Sequence, residues 1–302
     1  LLLNTTGEYN TAVGFATLDA NTTGVRNVAI GAAALSTNTT ASYNTAVGHG
    51  SLNVNTTGAN NTAVGYQALD ANTTAGSNTA VGYQALAANT TGASNVAIAA
   101  YALDANTTGT WHTAVGYGAL GAITTGNNGT AFGYEALKVA TVGDNTAIGT
   151  QALVANTTGT GNTAVGQSAL DANTTTHYNT AVGTSALGAN TTSNNSAVGY
   201  QALLANTTGT QNTALGSGAL VANTTAANNT AVGYRASYTA AGASAQNTAV
   251  GMSALYTNNG GEYNTALGYH SMYGSTTCDY NTAVGASSMG TGANTGSYNT
   301  AV

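Results

Sequence analysis

The chain has 302 residues, of which 4% are charged, and a net charge of -6. With only three Lys and Arg in total there is no basic patch, which excludes an electrostatic nucleic-acid interface. No run of about 18 apolar residues exists to span a membrane as a helix, and the single cysteine, Cys278, excludes an internal disulfide.

Forty glycines, no proline and few aromatic residues suggest disorder at first sight. Disorder, however, accompanies low hydrophobicity and high net charge. Here hydrophobic residues are 42% and recur in strict phase. The chain opens at Leu1-Leu2-Leu3-Asn4-Thr5-Thr6 already inside a repeat and stops at Asn299-Thr300-Ala301-Val302 in mid-motif. These ends predict a segment of a longer protein, and residues 1–302 are read as a single repeat array.

Asn61-Thr62-Ala63-Val64-Gly65 is a typical copy, followed by Tyr66-Gln67-Ala68-Leu69-Asp70-Ala71-Asn72-Thr73-Thr74 and then by Asn78-Thr79-Ala80-Val81-Gly82. The period is 17 residues. Its reference Val recurs from Val13 and Ile30 through Phe132 and Leu215 to Val302, always apolar and always preceded by Ala. Gly follows in every complete copy except at Ala99. Leu stands five residues on, replaced by Met272, Met289 and Ser237. The spacing shortens by one residue between Phe132 and Ile148 and between Val182 and Val198. It lengthens by one between Val232 and Val250 and between Val284 and Val302. Each change falls between the Leu and the next Asn, which marks that stretch as the exposed loop.

A fixed short period signals a solenoid whose coils stack on one another. Seventeen residues cannot hold two helices, and Gly with β-branched residues in every copy disfavours helix. The expected fold is therefore all-β: a β-solenoid of about 17 coils stacked in parallel. Each coil is expected to carry two short strands, Thr-Ala-Val and the Gln-Ala-Leu region, with Gly as the bend between them. At ~4.8 Å per coil the stack extends roughly 80 Å. Columns of Val and Leu are expected to form a dry seam, with Ala allowing a thin coil. Columns of Asn are expected to exchange side-chain hydrogen bonds along the axis.

At this level of detail the repeat resembles a known family. Asn27-Val28-Ala29-Ile30-Gly31-Ala32-Ala33-Ala34 and Asn95-Val96-Ala97-Ile98 are similar to the head repeats of YadA-like trimeric autotransporter adhesins. The resemblance covers every coil. It implies a left-handed parallel β-roll, three chains of which associate through an apolar face. The family's coil is shorter, and the added Asn-Thr-Thr-Gly looks like repeats of phage-type tail-fibre proteins that end in a self-cleaving chaperone.

Candidate sites are few. His49, His112, His177 and His270 occupy different repeat positions and do not converge on a catalytic or metal site. Asp19, Asp70, Asp104 and Asp171 share a position, but unlike neighbours separate their coils, so they read as isolated solvated carboxylates. No cofactor or metal is expected. Tyr follows the Gly at Tyr66, Tyr83, Tyr117, Tyr134, Tyr200, Tyr234 and Tyr269. An outward stripe of this kind suits stacking on sugars or docking of protein, and the plainer reading is that it covers the edge of the coil. Asn-Thr-Thr occurs at Asn4, Asn21, Asn38, Asn55, Asn72, Asn89, Asn106, Asn156, Asn173, Asn190, Asn206 and Asn223, each formally a glycosylation acceptor. The plainer reading there is an Asn turn with a Thr ladder.

The sequence thus predicts a non-enzymatic structural and adhesive segment of an extracellular fibre, at a cell surface or on a virion. Self-association as a trimer or filament is expected, with a host-cell or matrix receptor or a glycan as partner. Two rivals are a self-assembling filament subunit and an ice-binding β-solenoid. The second is weakened because adjacent Thr73 and Thr74 point to opposite faces.

Overall fold

The structure, a computed structural model, describes residues 1–240, 244–290 and 295–302. Every regular element among them is a β-strand, one per repeat and eighteen in all. They fall into two compact units, residues 1–150 and 151–302. The first unit runs from the strand Thr11–Val13 to the strand Thr146–Ile148, the second from Thr163–Val165 to Thr300–Ala301. Within each unit successive strands pair in parallel with like residues opposite one another. Ala63 faces Ala46 and Ala80 in the first unit, and Ala214 faces Ala197 and Ala231 in the second. Both units are thus β-solenoids, together about 17 coils of a 17-residue repeat. The shortened repeat keeps Thr130 opposite Thr146 and the lengthened one keeps Thr230 opposite Thr248, so length changes leave the strand register untouched.

The interior differs from the expected seam of Val and Leu. Side chains alternate along a strand, and it is the Ala of Thr-Ala-Val that points inward: Ala63, Ala80 and Ala97 are fully buried. The reference residue points out, and Val13, Ile30 and Phe132 are among the exposed apolar side chains. The coil is so thin that its strand wall has room for a methyl group and no more. The second Ala and the Leu of the repeat, such as Ala68 and Leu69, complete the apolar core and are also fully buried. Each buried Leu contributes about 1.5–3 kcal/mol.

The Gln-Ala-Leu region is not a second strand. Gln67 (φ 52°) and Leu69 (φ 53°) both take left-handed backbone, and the same two positions do so in coil after coil. The alternation sends successive N–H groups to opposite neighbours: Gln67 N–H donates to the His49 carbonyl on one side, Leu69 N–H to the Ala85 carbonyl on the other. Coil-to-coil hydrogen bonding therefore continues through the bend without strand geometry. Left-handed backbone costs about 1–2 kcal/mol for a residue with a Cβ, a cost of the same order as the gain from burying the Leu. The Gly after the strand is required by space as well as by φ. Gly65 has φ 138°, and a Cβ there would lie 2.3 Å from the Gly82 carbonyl oxygen.

Candidate functional site

Two columns of Asn close most of the coils. In the first, the Asn of Asn-Thr-Thr, the Asn72 amide donates to Asn55 Oδ1 (2.9 Å) and to the Ala75 carbonyl (3.0 Å), and Asn72 Oδ1 accepts from Asn89 (3.0 Å). This ladder runs unbroken from Asn4 to Asn106. It stops where Ile123 takes the next rung, leaving Asn106 Oδ1 buried with no partner. Ala240 ends the rungs Asn190, Asn206 and Asn223 in the second unit in the same way, and Asn223 Oδ1 is likewise orphaned. The axial amide exchange expected from sequence is thus present in this column.

The burial bears on glycosylation. Asn21, Asn38, Asn55, Asn72, Asn89, Asn106, Asn156, Asn173, Asn190, Asn206 and Asn223 are all 0% exposed. Their Nδ2 atoms, the atoms a transferase would modify, donate inside the coil, as at Asn38, Asn156 and Asn223. A glycan on these amides is incompatible with the folded coil, because it would need space and a hydrogen that the ladder already uses.

The second column precedes the strand and works differently. Asn61 Oδ1 accepts the backbone N–H of Asn78 (3.0 Å), while Asn61 Nδ2 donates to the same Ala75 carbonyl that Asn72 uses (2.9 Å). His112 replaces Asn in one coil and copies both bonds: Nε2 donates to the Gly126 carbonyl (2.6 Å) and Nδ1 accepts from Gly129 N–H (3.0 Å). That pattern requires the neutral ring. Burial holds the imidazole below the usual histidine value, opposed by the pull of the Gly126 carbonyl. A second ring proton would have to displace the bond from Gly129.

The seven tyrosines after the Gly all project into solvent, between 44% exposed at Tyr66 and 55% at Tyr200. In the first unit they form a ladder. His49, Tyr66 and Tyr83 stack at 5.4 and 5.3 Å between ring centroids, and Tyr117 stacks on Tyr134 at 5.7 Å. Ala100 interrupts the column, and Tyr101 from the next position stands in, edge-on to both neighbours. Tyr200, Tyr234 and Tyr269 are separated by other residues at the same position. Sequence reasoning missed two further aromatic columns: Tyr238, Tyr256 and Tyr273 stack at 5.2 and 4.8 Å, and Tyr263, Tyr280 and Tyr298 at 4.7 and 5.0 Å. A column near the start holds Arg26 between the rings of Tyr9 and Tyr43. Reading every repeat position for Tyr, and not only the one after Gly, finds them all.

The remaining candidates stay dispersed. His49 lies in the tyrosine column, His112 in the interior, His177 beside Thr160 and His270 against Tyr269. Burial raises the carboxyls of Asp70, Asp104 and Asp171 above the usual value, so they are less solvated than the sequence suggests. Among the described residues no three His, Cys, Asp or Glu side chains gather as a metal site, and no helix is long and apolar enough to cross a membrane. Cys278 is free and buried. Comparison with known proteins finds no matching family model and no matching curated relative.

Proposed function

We propose that the chain is a structural and adhesive segment of an extracellular fibre, and that its coils associate with further copies through the strand face. One observation carries the reading: the outward apolar column. In the first unit Val13, Ile30, Val47, Val64, Val81, Ile98, Val115, Phe132 and Ile148 occupy register-matched outward positions on one sheet, flanked by Thr in every coil but those of Val28 and Val96. Contiguous apolar faces on soluble proteins generally mark interaction surfaces. An outward apolar face is also what the resemblance to adhesin head repeats implies, there joining three chains. The extracellular assignment rests on that resemblance alone. The non-enzymatic reading rests on the spread of the histidines over different columns and of the aspartates over separated coils.

Sedimentation equilibrium of the parent and of Val64→Lys/Val81→Lys tests it. The expected result is a defined oligomer, three chains under the adhesin reading, that dissociates in the variant. A parent that is monomeric at micromolar concentration would overturn self-association. Mass that grows without limit would replace the fibre segment with a self-assembling filament subunit.

The same face supports a second reading. Outward Thr and Val two residues apart, repeated in register, make a regular two-dimensional array. Such an array suits ice binding. Thermal hysteresis of the parent, lost in Val64→Lys/Val81→Lys, would support it; no hysteresis would end it.

A further inference from the structure

The aromatic ladder has one gap with depth. In the coil of Val115 two positions that most coils fill with a larger side chain are both glycine, Gly118 and Gly121. The coils on either side place Tyr101 and Asp104 below the gap and Glu135 and Lys138 above it. Together with Tyr117 and Tyr134 these bound a notch of about 630 Å³. Backbone geometry does not demand the first glycine. Gly118 has φ 63°, and Gln67, Gln84, Gln151 and Gln201 hold the equivalent position at φ 52–57°. What Gly118 does is leave room. A Cβ there meets nothing within 4 Å, whereas the equivalent glycines Gly50 and Gly218 already have Gln67 and Tyr238 close by.

The lining is chemically mixed in a way that selects its ligand. Tyr117 and Tyr134 stack at 5.7 Å with their planes 14° apart, and Tyr101 stands at 80° to Tyr117, so ring edge and ring face both border the space. The only lysine of the chain, Lys138, pairs with Glu135 (Nζ–Oε1 2.7 Å). Asp104 has no such cation and lies half-buried. Glu135 and Lys138 cancel, so Asp104 leaves the lining one net negative charge, which disfavours an anion. A quaternary ammonium suits an aromatic cage but offers no hydrogen-bond donor or acceptor to Asp104, Glu135 or Lys138. A neutral polyol fits all of it: each hydroxyl can donate to Asp104 or Glu135 and accept from Lys138, while the C–H face of a pyranose covers a tyrosine ring.

We infer that the notch between Tyr101 and Lys138 is a binding site for a neutral saccharide, one sugar unit filling the space left by Gly118 and Gly121. This rests on the adhesive part of the function proposed above and gives it a ligand class and a location. It does not depend on self-association, which is read by mass, so either can fail alone.

The test is a titration of the full chain, followed by chemical shifts and saturation transfer at the tyrosine rings. The probes are the methyl glycosides of glucose, galactose, mannose and N-acetylglucosamine, with choline chloride as the cationic probe. At least one glycoside is expected to shift the Tyr117 and Tyr134 signals saturably, with a millimolar dissociation constant, and choline is not. Gly118→Gln, which installs the side chain other coils carry, is expected to weaken binding by about tenfold or more, about 1.4 kcal/mol. Gly50→Gln, in a coil without a notch, is expected to leave binding unchanged. Should Gly118→Gln lower the melting temperature, Asp104→Asn carries the test, with roughly threefold weaker binding expected from loss of one charge-assisted hydrogen bond. The inference is overturned if no glycoside binds the parent, if Gly118→Gln binds as the parent does, or if choline binds more tightly than every glycoside.

Discussion

The coils around Val47, Val64 and Val81 and the coils around Val115 and Phe132 share one backbone and differ in almost everything laid upon it. In the first group every rung of both Asn columns is present and bonded to its neighbours. In the second, Ile123 and Ala140 replace Asn in one column, and His112 and Gly129 replace it in the other. Asn106 Oδ1 is left unpaired, and the outer surface opens into the notch. The strands nevertheless stay in register, Thr113 opposite Thr130 and Thr130 opposite Thr146. Strand pairing and the Ala and Leu columns therefore set the coil. The Asn columns close it and add stability where they are continuous, and the irregular coils are where recognition has room.

That division ranks the expected effects. Leu69→Ala and Leu120→Ala, one from each group, should each destabilise by about 2–5 kcal/mol in urea titrations, because both side chains are fully buried in the shared core. The Asn columns should separate the groups. Asn72→Ala strips the donor from Asn55 Oδ1 and creates a new orphan, whereas Asn106→Ala removes one orphan while creating another at Asn89. Asn72→Ala should be the more damaging by about 1–3 kcal/mol, the penalty of one unsatisfied buried group. Equal losses would deny the ladder its role.

A smaller effect depends on pH. Because burial holds His112 below its usual value, the unfolded chain binds the proton more readily than the folded one. Stability should then fall as pH drops from about 6.5 toward the lower folded value, by no more than ~1.4 kcal/mol per pH unit. His112→Asn restores the repeat residue and should flatten that slope in melts across this range. The smallest expected change is a gain. Ser77 is exposed and left-handed (φ 62°) in the regular group, and Ser77→Gly should stabilise by about 1 kcal/mol by relieving that conformation.

Much of this architecture is legible in the sequence because stacking forces like residues into columns. The period, the parallel coil, the buried Leu and the loop that absorbs length changes all follow from which positions recur. The direction of the strand side chains does not. Hydropathy ranks Val64 above Ala63 for the interior, and only the thinness of the coil reverses the order. The bend at Gln67 and Leu69 reads as a strand in the sequence because left-handed backbone usually announces itself through Gly or Asn, and here it is carried by Gln and a buried Leu. The notch is harder still to see. Gly118 and Gly121 look like ordinary variation in a glycine-rich chain until the neighbouring coils place Tyr101, Asp104, Glu135 and Lys138 around them.

The central claim is that the Asn of the recurring Asn-Thr-Thr is a rung of an interior ladder, while only the two Thr that follow it face outward. Hydrogen exchange of side-chain amides in the ¹⁵N-labelled protein tests it most directly, comparing Asn72 with Asn60, an exposed residue in the neighbouring coil. The Asn72 NH₂ group, which donates to both Asn55 and Ala75, should exchange at least about a hundredfold more slowly than that of Asn60. Exchange of Asn72 as fast as Asn60 would contradict the account.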